Sequence, residues 1–466
     1  MNYTDPVFFA FFAVTFALHY AMRTARLQVA VLVAASLFFY AWEAPRILGV
    51  FLCSWLVTGL TSHAALTATD RRRARAFATA GVAVNLGLLA FFKYKFLFVH
   101  PQPGAQAATP GQWLLLAPLP IGISFYTFHG ISLLVDVFRG HAAMADAERR
   151  SRSRYLADTL LYLSFFPQLI AGPIIKAKDF YPQVQAKRLA DIDVAACFRL
   201  LVLGYFLKSV VADNLSDQTY WIAYPYFESK SSIELWLLLV GYSAQIFADF
   251  AGYSLIAIGL ARLLGYRLPD NFNFPYVASS ISDFWRRWHI SLSSWLRDYL
   301  YIPLGGSHKG EVRTYANLMI VMLLGGLWHG AAWSFAVWGL WHGIGLAIER
   351  PWLAVRFMRS AHPAALAPRM AGVFAFVTLG WLFFKLQDFG QAYGYLRAMF
   401  TNPAAGTSAT AALLIVLYAS AVALYHAASL LRPRLGRRTL DAGYGVMLFL
   451  VVTSSGSPTP FIYFQF

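Results

Sequence analysis

The sequence predicts an all-α, polytopic membrane protein, from its shortage of charge, its repeated apolar segments and the placement of its basic residues. Only 13% of the 466 residues are charged, while 58% are hydrophobic and 17% aromatic. A soluble domain carries about a quarter charged residues. Mean hydropathy is +0.53. Candidate spans fall at 7–22, 27–41, 47–60, 76–92, 156–172, 196–211, 233–264, 315–348, 371–385, 411–431 and 443–453. Several are shorter than the ~20 residues a straight crossing needs, so bent, paired or re-entrant helices are expected, with roughly ten to twelve membrane helices in all.

The net charge of +16 is concentrated between spans: Arg71, Arg72, Arg73 and Arg75; Arg149, Arg150, Arg152 and Arg154; Lys187 and Arg188; Arg432, Arg434, Arg437 and Arg438. That is the positive-inside pattern and places these loops in the cytoplasm. No zinc or RNA-binding motif accompanies the charge, so nucleic acid is excluded as a partner. Cys53 and Cys197 lie inside apolar segments and imply no disulfide framework. The opening MNYTDPVFFAFF lacks a basic n-region and a clear cleavage site, which reads as a retained first span.

No soluble domain is apparent, so residues 1–466 read as one membrane domain. Residues 99–113 form a Pro/Gly/Ala-rich loop and 139–155 a charged, cytoplasmic one. Residues 265–315 are different: too broken by Pro and Gly to span, yet too apolar for a free loop. There Trp285, Trp288, Trp295, Tyr299 and Tyr301 interleave with Arg286, Arg287, Arg297 and Asp298. Interfacial or re-entrant amphipathic helices have this composition. No internal repeat is visible, which weakens an inverted-repeat transporter reading.

Most of the 11 histidines have plain explanations. His63, His100, His141, His308 and His362 fall in or beside polar loops; His19 and His426 suit helix-packing hydrogen bonds; His129 could line a cavity. His289, in FWRRWHISLSSW, and His329, in MLLGGLWHGAAW, stand apart. An ionisable group within a membrane usually faces the bundle interior or a water-filled cavity, and is a functional hypothesis by default. A buried neutral imidazole can act as general base towards a hydroxyl or thiol. Gly325, Gly326 and Gly330 permit close approach of helices or substrate. His342 repeats the Trp-His-Gly triplet, but on one straight helix it would sit about 220° away from His329 and so reads as structural. There is no Gly-rich phosphate loop, metal constellation or Ser-His-Asp arrangement.

LPIGISFYTFHGISLLVDVFRG (119–140), FFPQLIAGPII (165–175), QIFADFAGYSLIAIGLARLLGYRLPDNFNFPY (245–276), SISDFWRRWHISLSSWLRDYLYIPLGG (280–306) and GGLWHGAAW (325–333) occur in this order, with PFIYFQF at 460–466. Together they resemble the membrane-bound O-acyltransferases, and within them the bacterial branch typified by alginate O-acetyltransferase membrane subunits. The resemblance covers most of 85–345 plus the tail. It implies that His329 and His289 are the catalytic histidines, near the middle of a tunnel joining the two membrane faces. Trp285, Trp288, Trp328 and Trp333 would line or pack that tunnel. Acetyl-CoA would enter from the cytoplasm as donor substrate, with no permanently bound cofactor. Arg286, Arg287 and Lys176 could hold its phosphates, or serve only as interfacial anchors. The implied setting is the bacterial inner membrane. The implied partners are a periplasmic or membrane-anchored Ser-nucleophile acetyltransferase and a polysaccharide synthesis and secretion complex. D-alanyl transfer, peptidoglycan acylation, lysophospholipid acylation and bond-free acyl or lipid transport remain the alternatives.

Overall fold

The computed structural model describes residues 1–43, 45–95, 98, 109–141, 144, 150–169, 172–353, 355, 358, 360, 362–403, 409–431 and 436–461. Most of the 99–113 loop, His100, Arg149, Arg432, Arg434 and residues 462–466 lie outside them. Among the described residues every regular element is helical. The chain divides into two compact units, Met1–Cys197 with Ala257–Pro269, and Phe198–Ile256 with Asp270–Phe466.

The first unit is built on α1 (Pro6–Ala21), α2 (Ala25–Glu43), α3 (Leu48–Thr67), α4 (Arg71–Tyr94), α5 (Ile123–Arg139) and α6 (Arg152–Ser164). Local chemistry sets their ends. The Asp70 carboxylate accepts the Arg72 amide at 3.1 Å to start α4, and left-handed Gly122 and Gly140 bound α5. In lipid, apolar surface gives helices little reason to associate, so polar contacts and small residues set the packing. Asn85 donates to Thr58 Oγ1 at 2.8 Å and accepts from Ser54 at 3.2 Å, while Gly130 lies against both Asn85 and Thr58. Asp158 is buried, but Arg150 and Arg154 neutralise it at 2.6 and 3.0 Å.

In the chain order that follows come α7 (Val194–Tyr205), running on as a π-helical stretch over Phe206–Ala212, and the 32-residue α8 (Ser232–Leu263). Next are the short α9 (Ile281–Arg287) and α10 (Ile290–Leu296), then α11 (Glu311–His329), α12 (Trp333–Trp352), α13 (Pro363–Lys385), α14 (Phe389–Thr401), α15 (Ala409–Leu431) and α16 (Arg437–Thr453). Leu413, Leu417 and Leu424 of α15 are exposed along one face, as lipid contact demands.

Among the described residues, 7 helices are long and apolar enough to cross a membrane: Ala25–Trp42, Pro45–Thr67, Arg71–Tyr94, Val194–Ile222, Ser232–Leu263, Pro363–Lys385 and Ala409–Leu430. The larger number expected from the sequence counted segments that the chain breaks or shortens. The 156–172 segment breaks after Ser164, the 315–348 segment breaks after His329, and α1 and α16 have 16 and 17 residues.

Candidate functional site

The break in GGLWHGAAWSFAVWGLWHG is what builds the site. Gly330 is extended (φ −162°) and ends α11, so α12 turns back along it. The hairpin closes because three glycines leave room for the facing helix. A Cβ on Gly326 would collide with the Phe335 carbonyl, one on Gly339 with the Met322 carbonyl, and one on Gly330 with the Phe335 ring. The straight-helix geometry that separated His329 from His342 therefore does not apply. Both imidazoles pack on the Trp338 indole, with ring centroids at 5.1 and 4.9 Å.

His329 is the last residue of α11 and 5% exposed. Its ring meets Trp328, Trp338 and Phe384, each at 5.1 Å. It lines a cavity of about 230 Å³ with Trp285, Leu292, Leu296, Met322 and Trp338, where Ser282 and Ser293 add the polar groups. α9 is fixed beside this cavity at its N-terminus. The Glu349 carboxylate of α12 accepts the amides of Ile281 and of Ser282 (3.0 Å), and Ser280 Oγ accepts that of Asp283 at 3.0 Å. A carboxylate at a helix N-terminus satisfies amides that have no partner within the helix.

His289 is 1% exposed and sits between α9 and α10 at φ 42°, ψ 54°, a left-handed conformation that is costly outside glycine. Its surroundings hold it there. Phe250 stands edge-on at 4.6 Å and Trp328 lies at 6.1 Å, so the Trp328 indole is flanked by both histidines. Asn271 orients the ring. Its amide nitrogen donates to Ser254 Oγ at 2.9 Å; its Oδ1 accepts from Ser291 Oγ at 2.6 Å and faces His289 Nδ1 at 3.3 Å. An oxygen facing Nδ1 favours the tautomer with the proton on Nδ1, leaving the lone pair on Nε2. Burial pushes the His289 imidazole below its ordinary value and keeps it neutral.

The other predicted residues separate. Trp285 lines the cavity. Trp288 packs among Phe284, Tyr276 and Trp381 at 5.5, 6.2 and 4.9 Å. Trp333 opens α12 at 70% exposed and is not among the cavity-lining residues, because the hairpin turn directs it outward. Arg286 is exposed. Arg287 pairs with Asp283 at 2.9 Å and lines a separate, open pocket of about 650 Å³ with Asn273, Ser279, Met370 and Ser429. Lys176 belongs to the first unit, where it is buried ahead of the helical turn Ala177–Phe180. No group of three His, Cys, Asp or Glu suited to a metal occurs among the described residues.

Sequence reasoning missed Asn271, Trp338, Glu349 and the buried set Lys208, Asp213 and Asp249. Only charge within apolar stretches signals that set; nothing local signals the others.

The fold and site define a class, a helical multi-pass membrane protein with two histidines enclosed by aromatic side chains. Residues 79–388 match the membrane-bound O-acyltransferase (MBOAT) family, and the chain belongs to that family; it is a membrane O-acyltransferase. It is 38% identical over 440 residues to the Azotobacter vinelandii protein named "Probable alginate O-acetylase AlgI", covering 90% of this chain and 83% of that one. It is 36% identical over 392 residues to the peptidoglycan O-acetyltransferase of Helicobacter pylori (79% and 73% covered). To the teichoic acid D-alanyltransferase of Bacillus subtilis it is 28% identical over 277 residues (56% and 65%).

Proposed function

We propose that this protein takes acetyl from cytoplasmic acetyl-CoA and delivers it across the bacterial inner membrane for O-acetylation of an exopolysaccharide such as alginate. The observation that carries the reading is His329, seated at the helix break and lining an apolar cavity. His329 is the general base. It takes the proton of the acceptor hydroxyl as that oxygen attacks the thioester carbonyl carbon; the C–S bond breaks, and the thiolate leaves and is reprotonated. The imidazolium formed lies at the C-terminal end of α11, where the helix dipole is negative. His289, with its tautomer set by Asn271, assists from beyond Trp328.

The open pocket at Arg287, bounded by Ser429 and Leu430 near the end of α15, suits the anionic head of CoA. Arg286 is a further phosphate ligand proposed there; Lys176, buried in the first unit, is a separate candidate. Long polymer does not fit a cavity of about 230 Å³, so the acceptor here is a single side chain or small carrier. A separate periplasmic or membrane-anchored Ser-nucleophile acetyltransferase of the polymer-secreting complex then takes the acetyl on. The test is polymer acetylation in cells carrying His329→Ala at unchanged membrane levels. Loss is expected, on the order of the 10²–10⁴-fold that a general base contributes. Near-wild-type acetylation would remove His329 from the reaction.

A further inference from the structure

The second unit buries an ion cluster that the acyl-transfer chemistry does not use. Lys208 Nζ, 1% exposed, lies 2.8 Å from Asp213 Oδ1 and 2.7 Å from Asp249 Oδ1. Both carboxylates are buried. Lys208 and Asp213 come from the candidate span Val194–Ile222, and Asp249 from Ser232–Leu263. Charges in such segments are costly and mark a role. Stability alone does not supply that role, because apolar residues of similar volume often replace a buried ion pair without loss. What ions add is directional contact, and the contacts here go to one place.

Lys208 Nζ also donates to the Thr459 carbonyl at 2.9 Å, and the Thr459 hydroxyl donates to Asp213 Oδ1 at 2.5 Å. Neighbouring bonds extend the attachment. The Gly456 amide donates to the Ser209 carbonyl at 2.8 Å, inside the π-helical stretch, and Asn214 Nδ2 to the Ser454 carbonyl at 3.1 Å. The segment Ser454–Phe461 is thus held along the α7 continuation, with few helical bonds of its own. Its Phe461 is fully buried and packs, tilted, against Tyr253 at 4.5 Å and Phe250 at 5.7 Å. Phe250 is the ring that stands edge-on to His289 at 4.6 Å.

We propose that Lys208, Asp213 and Asp249 form a latch that seats Ser454–Phe461 as the wall behind His289, making Lys208 and Phe461 positioning residues for acyl transfer. The proposal rests on the reading that His289 serves the reaction. Removing the latch frees Thr459, Phe461 loses its seat, Phe250 loses its backing, and the His289 ring is no longer pressed towards Asn271. Misplacement of a catalytic group by about 1 Å costs about 10²-fold, so the effect appears in kcat and leaves donor KM nearly unchanged.

The experiment uses the full-length protein, purified as a single species in detergent, with release of CoA thiol from acetyl-CoA as readout, water taking the acetyl as the acceptor hydroxyl. Phe461→Ala and Lys208→Met are each expected to lower kcat about 10–100-fold, with KM for acetyl-CoA within about twofold of wild type. Phe461→Leu should recover most of the loss. The double variant should be no slower than the slower single, because both act through one segment. In Lys208→Met, amide hydrogen exchange should rise across residues 454–461. Should Lys208→Met not purify, Thr459→Val, which removes only the hydroxyl, replaces it in both measurements. Unchanged kcat in Phe461→Ala, multiplying losses in the double variant, or unchanged exchange at 454–461 would each overturn the latch. His289→Ala separates the two claims. Full activity there defeats the role of His289 itself, while an inactive His289→Ala beside a fully active Phe461→Ala defeats the latch alone.

Discussion

Asn271 offers the sharpest handle on the site, because its amide fixes both the place and the tautomer of His289. Asn271→Ala deletes the bonds at 2.9, 2.6 and 3.3 Å to Ser254, Ser291 and His289. At about 0.5–1.5 kcal/mol each, the combined cost is about 1.5–4.5 kcal/mol. Part of it appears as lost stability and part as a kcat lowered about 10–100-fold. Asn271→Asp keeps the shape and replaces the amide by a carboxylate facing Nδ1. Burial holds His289 below its ordinary value, and a negative charge in contact raises a neighbour's pKa by about 1–3 units. His289 is then protonated at a higher pH than in wild type, so the acid limb of the pH–rate profile moves upward by about 1–3 units. The assay is thiol release from acetyl-CoA across about pH 3–9, which takes in both the wild-type value of about 3 and the shifted one. Superimposable wild-type and Asn271→Asp profiles would refute the account of how His289 is oriented.

The other predictions test packing, His342 and orientation. Gly339→Ala drives a Cβ into the Met322 carbonyl and should lower stability by about 1–3 kcal/mol, read as thermal unfolding in detergent. Gly372→Ala, with open space around it in α13, should be neutral or stabilising by up to about 1 kcal/mol. His342 is fully buried, and neither ring nitrogen has a hydrogen-bond partner among the described residues. His342→Phe should therefore keep most activity where His329→Phe keeps none, and an inactive His342→Phe would place His342 in the chemistry. In a background lacking Cys53 and Cys197, Arg73→Cys, Arg152→Cys and Arg438→Cys should resist an impermeant maleimide in intact cells and react in inverted vesicles. Labelling from outside at two of the three would reverse the orientation.

The helical membrane character was legible because it is written in composition; His289 and His329 were singled out by motifs with a strong resemblance, and the structure brings both rings against Trp328. What stayed hidden depends on tertiary contact. The 315–348 stretch is apolar throughout, and the reversal at Gly330 shows only when Gly326 and Gly339 bring two backbones together; hence the geometry assigned to His342 failed. Asn271 lies 18 residues from His289, and no helical or strand period links such a pair. Lys208 reads locally as a lone charge in an apolar span, and its partners Asp249 and Thr459 lie 41 and 251 positions away. Trp333 looked like a tunnel residue by neighbourhood alone, yet the turn that buries His329 leaves it exposed.

On the proposed function, acetyl leaves CoA at His329 and crosses the membrane. Purified protein in liposomes, given labelled acetyl-CoA on the side carrying the basic clusters, tests it most directly when the Ser-nucleophile partner is enclosed on the other side. Label should reach the partner with wild-type protein, fall by at least about 10²-fold with His329→Ala, and reach added polymer only when the partner is present. Equal transfer by His329→Ala, or efficient polymer labelling without the partner, would contradict it.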